Sequence, residues 1–140
     1  MRLLYGHDKD VADWVSRRIK GCERGFGECR AIGVIDGELI AGCVYHDWSP
    51  EFGTIQISCA ATDKRWMTRP VIRGLLEYPF SFCRMVTFQT DKENAARRII
   101  KRLGAREYEI HDMRGNGESL FLLTLPKEVW ENTRLCNGKA

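Results

Sequence analysis

The run AIGVIDGELIAGCVY, residues 31–45, limits what this chain can build more than any other stretch. Two apolar segments, 31–35 and 38–45, flank Asp36 and Gly37. An Asp-Gly pair takes up the positive-φ backbone of a tight hairpin turn, so the two segments are expected to pair antiparallel in the middle of a sheet. HDWSP, residues 46–50, reads as the loop by which the chain leaves this pair.

The other segments assemble around that hairpin. LLY (3–5) is a short strand, followed by Asp8 as a helix cap and by Val11, Trp14, Val15 and Ile19 at helical spacing, with Gly21 as the stop. FGTIQISCA (52–60) is rich in β-branched and aromatic residues and reads as a strand. PVIRGLLEY (70–78) reads as a helix: Pro70 suits a first turn, Thr68 or Arg69 is the cap, and Pro79 ends it. MVTFQ (85–89) is a further strand. In NAARRIIKRLG (94–104), Ala95, Ala96, Ile99, Ile100 and Leu103 form an apolar stripe, with Gly104 as C-cap. REYEIH (106–111) and SLFLLT (119–124) pair around GNG. The order β-α-β-β-β-α-β-α-β-β predicts an α/β fold with a mixed, mostly antiparallel sheet, in which the 52–60 and 85–89 strands are parallel neighbours.

A chain of 140 residues is right for one domain, here 1–140. Its net charge of +3 is too mild to name a partner. No apolar run is long enough to span a membrane, and MRLLYGHDKD turns acidic too early for a signal peptide, so a cytoplasmic location is expected. Cys43, Cys59 and Cys83 lie in or beside apolar runs and read as buried thiols. Cys22 and Cys29 are spaced more widely than a zinc knuckle and only three His are present, so no metal site is assigned.

The chemistry concentrates at the joint between strand 52–60 and helix 70–78. A crossover helix that begins after a central strand points free N–H groups and the positive end of its dipole at the carboxyl edge of the sheet, where phosphates bind. Lys64, Arg65 and Arg69 surround that joint, either as anion ligands or as solvated loop charges. Neither a P-loop nor a G-x-G-x-x-G is present.

The element order, WMTR (66–69), YPF (78–80) and the Asn-led run 94–104 together resemble the GCN5-related N-acetyltransferase family, near its ribosomal-protein and small-molecule branch and acetyltransferase-like proteins of phages and prophages. The likeness covers nearly the whole chain. It implies acetyl-CoA as acyl donor, lying between two splayed parallel strands. Its pantetheine arm would meet backbone around Ile57, Ser58, Cys59 and Ala60, and its pyrophosphate the segment from Lys64 and Arg65 through Thr68, Arg69, Pro70 and Val71. Asn94 would hold the arm. From their positions on helix 94–104, Arg97 and Lys101 are in turn expected to reach the adenine-side phosphate. The resemblance further implies direct transfer to a primary amine, carried by a small molecule or a protein.

Two departures stand out. The family's glycine-rich pyrophosphate loop falls on Thr68, Pro70 and Ile72, and the Tyr that protonates the leaving thiolate falls on Ile100. A general base is expected from His46, Asp47 or Glu51, and a backbone N–H near Ser58 or Cys59 would polarise the carbonyl. Tyr108 and His111 cannot both face the cleft from a regular strand. Trp48, Phe52 and Phe80 line the acceptor side or belong to the core, and Asp10, Asp13, Glu23 and Glu28 offer an acidic rim. Two other classes compete: a catalytically silent fold that binds CoA or protein, and a nucleic-acid module using Arg97, Arg98, Lys101 and Arg102. Against the latter, helix 94–104 lacks interleaved aromatics and the chain has no helix-turn-helix pattern. An exposed Ser119–Thr124 edge would suit a homodimer, unless LPKEVW (125–130) covers it.

Overall fold

Gly42 sits where a Cβ would come within 2.8 Å of both Val11 and Val15, and one at Gly33 would come within 3.3 Å of Val11. Helix α1 (Asp8–Ser16) therefore lies directly on the sheet, over strands β2 (Cys29–Asp36) and β3 (Glu38–Ser49). Asp8 does not cap its own helix. Its carboxylate instead accepts from the Ala31 backbone N–H at 2.8 Å, fastening α1 to β2.

The computed structural model describes residues 1–138. Its remaining elements are β1 (Arg2–Leu4), β4 (Thr54–Ala61), a 3-10 turn over Lys64–Trp66, α2 (Arg69–Phe80), β5 (Met85–Thr90), α3 (Ala96–Arg102), β6 (Arg106–Gly115), β7 (Glu118–Pro126) and α4 (Lys127–Glu131). The strands form one seven-stranded sheet in the order β1-β2-β3-β4-β5-β7-β6, antiparallel except for β4 and β5. This is the expected mixed α/β sheet with flanking helices. One face carries α1, packed on Ala31 and Val44. The other carries the larger core, in which Val71, Leu75, Leu76, Ile100 and Trp130 meet Cys43, Tyr45, Ile57, Phe88 and Leu123. No helix is long and apolar enough to cross a membrane among the described residues.

Several local expectations are corrected. The 46–50 loop is largely strand: β3 runs on to Ser49 through a register shift, with Asp47 at φ 55°. A bulge lets a strand continue past a residue that breaks the pleat, and local sequence does not announce it. Pro79 lies inside the last turn of α2 instead of ending it at Tyr78. Helix α3 starts at Ala96, because Asn94 accepts from the Ala96 N–H at 2.9 Å and turns the chain before the helix. At this end of the sheet the edge is β6, not Ser119–Thr124, since β7 is paired on both sides. Finally, Cys43 and Cys59 are disulfide-bonded, directly opposite each other on β3 and β4. Reading each cysteine within its own apolar run could not show that the runs place them side by side.

Candidate functional site

The parallel ladder between β4 and β5 runs from Thr54↔Met85 to Ile57↔Phe88 and stops. Beyond it β4 stays on β3 as far as Ala41↔Ala61, while Gln89 and Thr90 pair with Leu122 and Phe121 of β7. Each strand follows its outer neighbour, and a wedge opens between them.

The register decides which backbone groups face that wedge. Cys43 and Cys59 have Cα atoms 4.3 Å apart, and the Thr62 N–H donates to the Ile40 carbonyl at 2.8 Å, so Cys43–Cys59 and Ala41–Ala61 are non-hydrogen-bonded pairs. The N–H and C=O of Cys59 and Ala61 consequently point away from β3, into the opening. Those of Ser58 and Ala60 bond to β3, and the Ala60 side chain packs toward α1. Of the expected backbone contacts, Cys59 is suitably turned and Ala60 is not, while Ala61 takes its place. Ile57 is turned the same way as Cys59 but ends the ladder with β5.

On the α1 face, His46 and Ser58 meet across β3 and β4. His46 Nε2 lies 2.8 Å from Ser58 Oγ, and Nδ1 lies 3.1 Å from Asp47 Oδ2. A carboxylate only accepts, so Nδ1 carries the proton and Nε2 accepts from the Ser58 hydroxyl. The imidazole is 7% exposed and lies under the Phe26 ring, with centroids 4.8 Å apart. Burial lowers its pKa below the usual 6.5, with Asp47 pulling the other way. The ring is thus neutral near pH 7 and able to take a proton. From sequence, a backbone N–H of Ser58 or Cys59 is expected to polarise the carbonyl; that of Ser58 is turned to β3 instead, and the pairing of its side chain with His46 is not legible in the sequence because the two lie twelve positions apart on different strands.

Across the wedge, Gln89 is on the same face as Ser58, since Gln56 and Thr87 are register partners two residues before each. Leu122 and Tyr108 continue that row, which places Tyr108 on the cleft face and Glu107 and Glu109 on the other. Glu51 is in the β3–β4 turn and accepts from Ser49 Oγ at 3.4 Å. Ser58 is four residue steps along the strand from Thr54, a rise of roughly 13 Å, so Glu51 is at the wrong end of β4 to be the base. Trp48 and Phe52 are exposed at that same end, and Phe80 stacks on Trp130 in the core.

The basic joint is only partly available. Asp63 accepts from the Arg65 N–H at 2.9 Å and from Arg65 Nη2 at 2.8 Å. These bonds hold its carboxyl down at about 2. Thr68 Oγ1 caps the Val71 N–H at 3.4 Å, and Pro70 has no N–H to offer. Lys64 and Arg69 form no ion pair among the described residues, and the Arg69 N–H has no protein acceptor among them. Arg97 is not free for a phosphate: its guanidinium forks onto Glu107, donates to the Lys92 carbonyl at 3.2 Å and lies 4.1 Å over the Phe121 ring. Lys101 bonds the same Glu107 at 3.3 Å. Ile100, where the resemblance expects a Tyr, is buried in the core.

Beside Phe26, a cavity of about 450 Å³ is lined by Lys9, Asp13, Arg24, Glu28 and Cys29. Among the described residues no group of three or more His, Cys, Asp or Glu is placed to hold a metal.

No protein-family model matches the chain. No curated protein matches it either. Solved structures do. The F149A mutant of spermidine N-acetyltransferase SpeG from Vibrio cholerae superposes with a TM-score of 0.73 at 12% identity, covering 94% of this chain and 98% of that one. The chain therefore has the fold of that acetyltransferase. A SpeG structure in complex with CoA and spermine gives a TM-score of 0.65 at 14% identity, over 76% of this chain and 70% of that one. A probable acetyltransferase gives 0.62 at 19% identity over 74% of this chain, but the match spans only 65% of that longer chain. At such identities the acetyltransferase fold is shared while the residues of the site are this chain's own.

Proposed function

We propose that this protein transfers an acetyl group from acetyl-CoA to a primary amine of a small molecule or protein. The observation that carries the reading is the wedge between β4 and β5, with the Cys59 and Ala61 amides facing it and the His46–Ser58 pair at its apex. The residues present suit the donor. An extended amide-bearing arm pairs with a free strand edge, and Lys64, Arg69 and the start of α2 suit its phosphates. Asn94 retains its side-chain N–H₂ for the arm, since only its oxygen is engaged. Acetyl-CoA supplies an activated acetyl thioester.

The chain's own residues do the rest. The Cys59 N–H stabilises negative charge developing on the acetyl oxygen. An amine at the apex gives its proton to Ser58 Oγ, whose own proton passes to His46 Nε2. Phe26 excludes water from the imidazole. The cavity beside Phe26 is the acceptor's entrance, and its mixture of Lys9 and Arg24 with Asp13 and Glu28 suits an amine that also carries an anionic or polar group.

Ile100 supports a second reading, a fold that binds CoA with little transfer, because it removes the usual proton donor to the thiolate. Nucleic-acid binding by α3 is the weaker alternative, since Glu107 engages both Arg97 and Lys101 and offsets one of their two charges. Calorimetric titration with acetyl-CoA, beside Arg69→Ala and Asn94→Ala, tests the proposal. No binding at tens of micromolar, an ordinary range for substrates, rejects it. Binding without turnover on an amine panel that includes spermidine selects the silent reading.

A further inference from the structure

We infer that Ser58 is itself a nucleophile, which takes the acyl group onto its hydroxyl when no amine is bound and passes it to water, giving the protein an acyl-thioester hydrolase activity. The inference rests on the proposed function in that the wedge admits an acyl thioester. Its grounds are geometric. Ser58 Oγ, His46 and Asp47 form a continuous line, at 2.8 Å and 3.1 Å, in the arrangement that activates a serine: nucleophile, base, and a carboxylate that orients the base. Ser58 is also the first residue of β4 beyond the last β4–β5 pair, so it stands at the apex of the opening. The N–H of the next residue, Cys59, points into that opening, and the N–H following a nucleophilic serine is where hydrolases of other folds place an oxyanion donor.

The steps balance. Ser58 Oγ forms a bond to the acyl carbon as its proton moves to His46 Nε2. The C–S bond breaks, and the imidazolium returns that proton to the departing thiolate. Here His46 does the work for which Ile100 has no proton to give. Water then attacks the ester with His46 as base, releasing the carboxylic acid and restoring the serine hydroxyl. A purely structural role, in which Ser58 only satisfies a buried histidine, predicts none of this.

The experiment exposes the full-length chain to a fluorophosphonate, whose serine adduct is not hydrolysed, and maps the modified peptide by mass spectrometry. Acetyl-CoA hydrolysis without amine is followed in parallel by thiol release. The expected result is one phosphonyl group on Ser58, labelling slowed about 100-fold or more in His46→Gln, and hydrolysis abolished in Ser58→Ala. The wild-type peptide map depends on no variant folding. Absence of label on Ser58, or thiol release that survives Ser58→Ala, overturns the inference. Label on Ser58 in a protein that does not bind acetyl-CoA keeps the nucleophile and rejects that donor, whereas acetyl-CoA binding without label rejects the nucleophile and keeps the donor.

Discussion

Tyr45 of β3 donates its buried hydroxyl to the Leu75 carbonyl of α2 at 2.5 Å. That carbonyl is the one Pro79, four residues on, has no N–H to satisfy. A proline in the last turn of a helix is thus tolerated because a strand supplies the missing donor. Tyr45→Phe leaves the carbonyl buried and short of a partner, and is expected to destabilise the protein by about 1–3 kcal/mol, read from urea unfolding. A change well under that range would mean that water or another N–H reaches Leu75.

If His46 is the base, as proposed, it sets the pH dependence of transfer. Burial holds its folded pKa below 6.5, so it is the free base above that lowered value and activity falls as pH drops through it. The rate constant kcat/KM should therefore rise with pH through a midpoint below 6.5 and then level off. His46→Gln should lower it by about 10²–10⁴-fold and flatten the profile. An inflection above 6.5 would assign the base elsewhere. The same shift acts on stability: the unfolded chain binds the proton first, so the contribution is complete above the unfolded pKa and is lost as pH falls through the folded one.

The Cys43–Cys59 bond closes a loop with a sequence separation of 16. A cross-link of that span stabilises by about 3 kcal/mol through the unfolded chain. Treatment with dithiothreitol should lower the urea midpoint accordingly, and the Cys43→Ala, Cys59→Ala double variant should be insensitive to the reductant. Equal midpoints with and without reductant in the wild type would show that the two cysteines are not linked in solution.

Asp63 competes with any phosphate for Arg65. Asp63→Asn frees the guanidinium, and calorimetry should report a lower Kd for CoA, with the gain shrinking as salt is raised. An unchanged Kd would place the phosphates out of reach of Arg65.

The Arg97–Glu107 ion pair is expected to act on stability rather than on binding. Their ion pair holds the Glu107 carboxyl below the usual carboxylate value, so its contribution is present above that value and disappears as pH falls through the lowered one. Arg97→Ala should lower the melting temperature at pH 7 and leave the CoA affinity unaltered. Weaker CoA binding with an unchanged melting temperature would return Arg97 to the cofactor.

Local pattern alone was enough to place the hairpin around Asp36 and Gly37, the strand at 52–60 and the helix that follows Thr68 or Arg69, of which the structure makes Thr68 the cap, because turn chemistry, β-branching and capping act within a few residues. It offered His46 as one of three candidate bases beside Asp47 and Glu51, while the expectation of a tyrosine at Ile100 came from the family resemblance and not from local pattern. Only the tertiary structure decided that β4 and β5 part after Ile57 and Phe88, that Cys59 and Ala61 turn their amides into the gap, and that Ser58 lies against His46. It likewise decided that Arg97 and Lys101 are held by Glu107, and that Cys43 faces Cys59. Each of these is a matter of register or of a pair distant in sequence. Shifting a strand by one residue reverses every side chain and amide along it, and that choice is made by the whole sheet closing on its two cores, not by any segment's own residues.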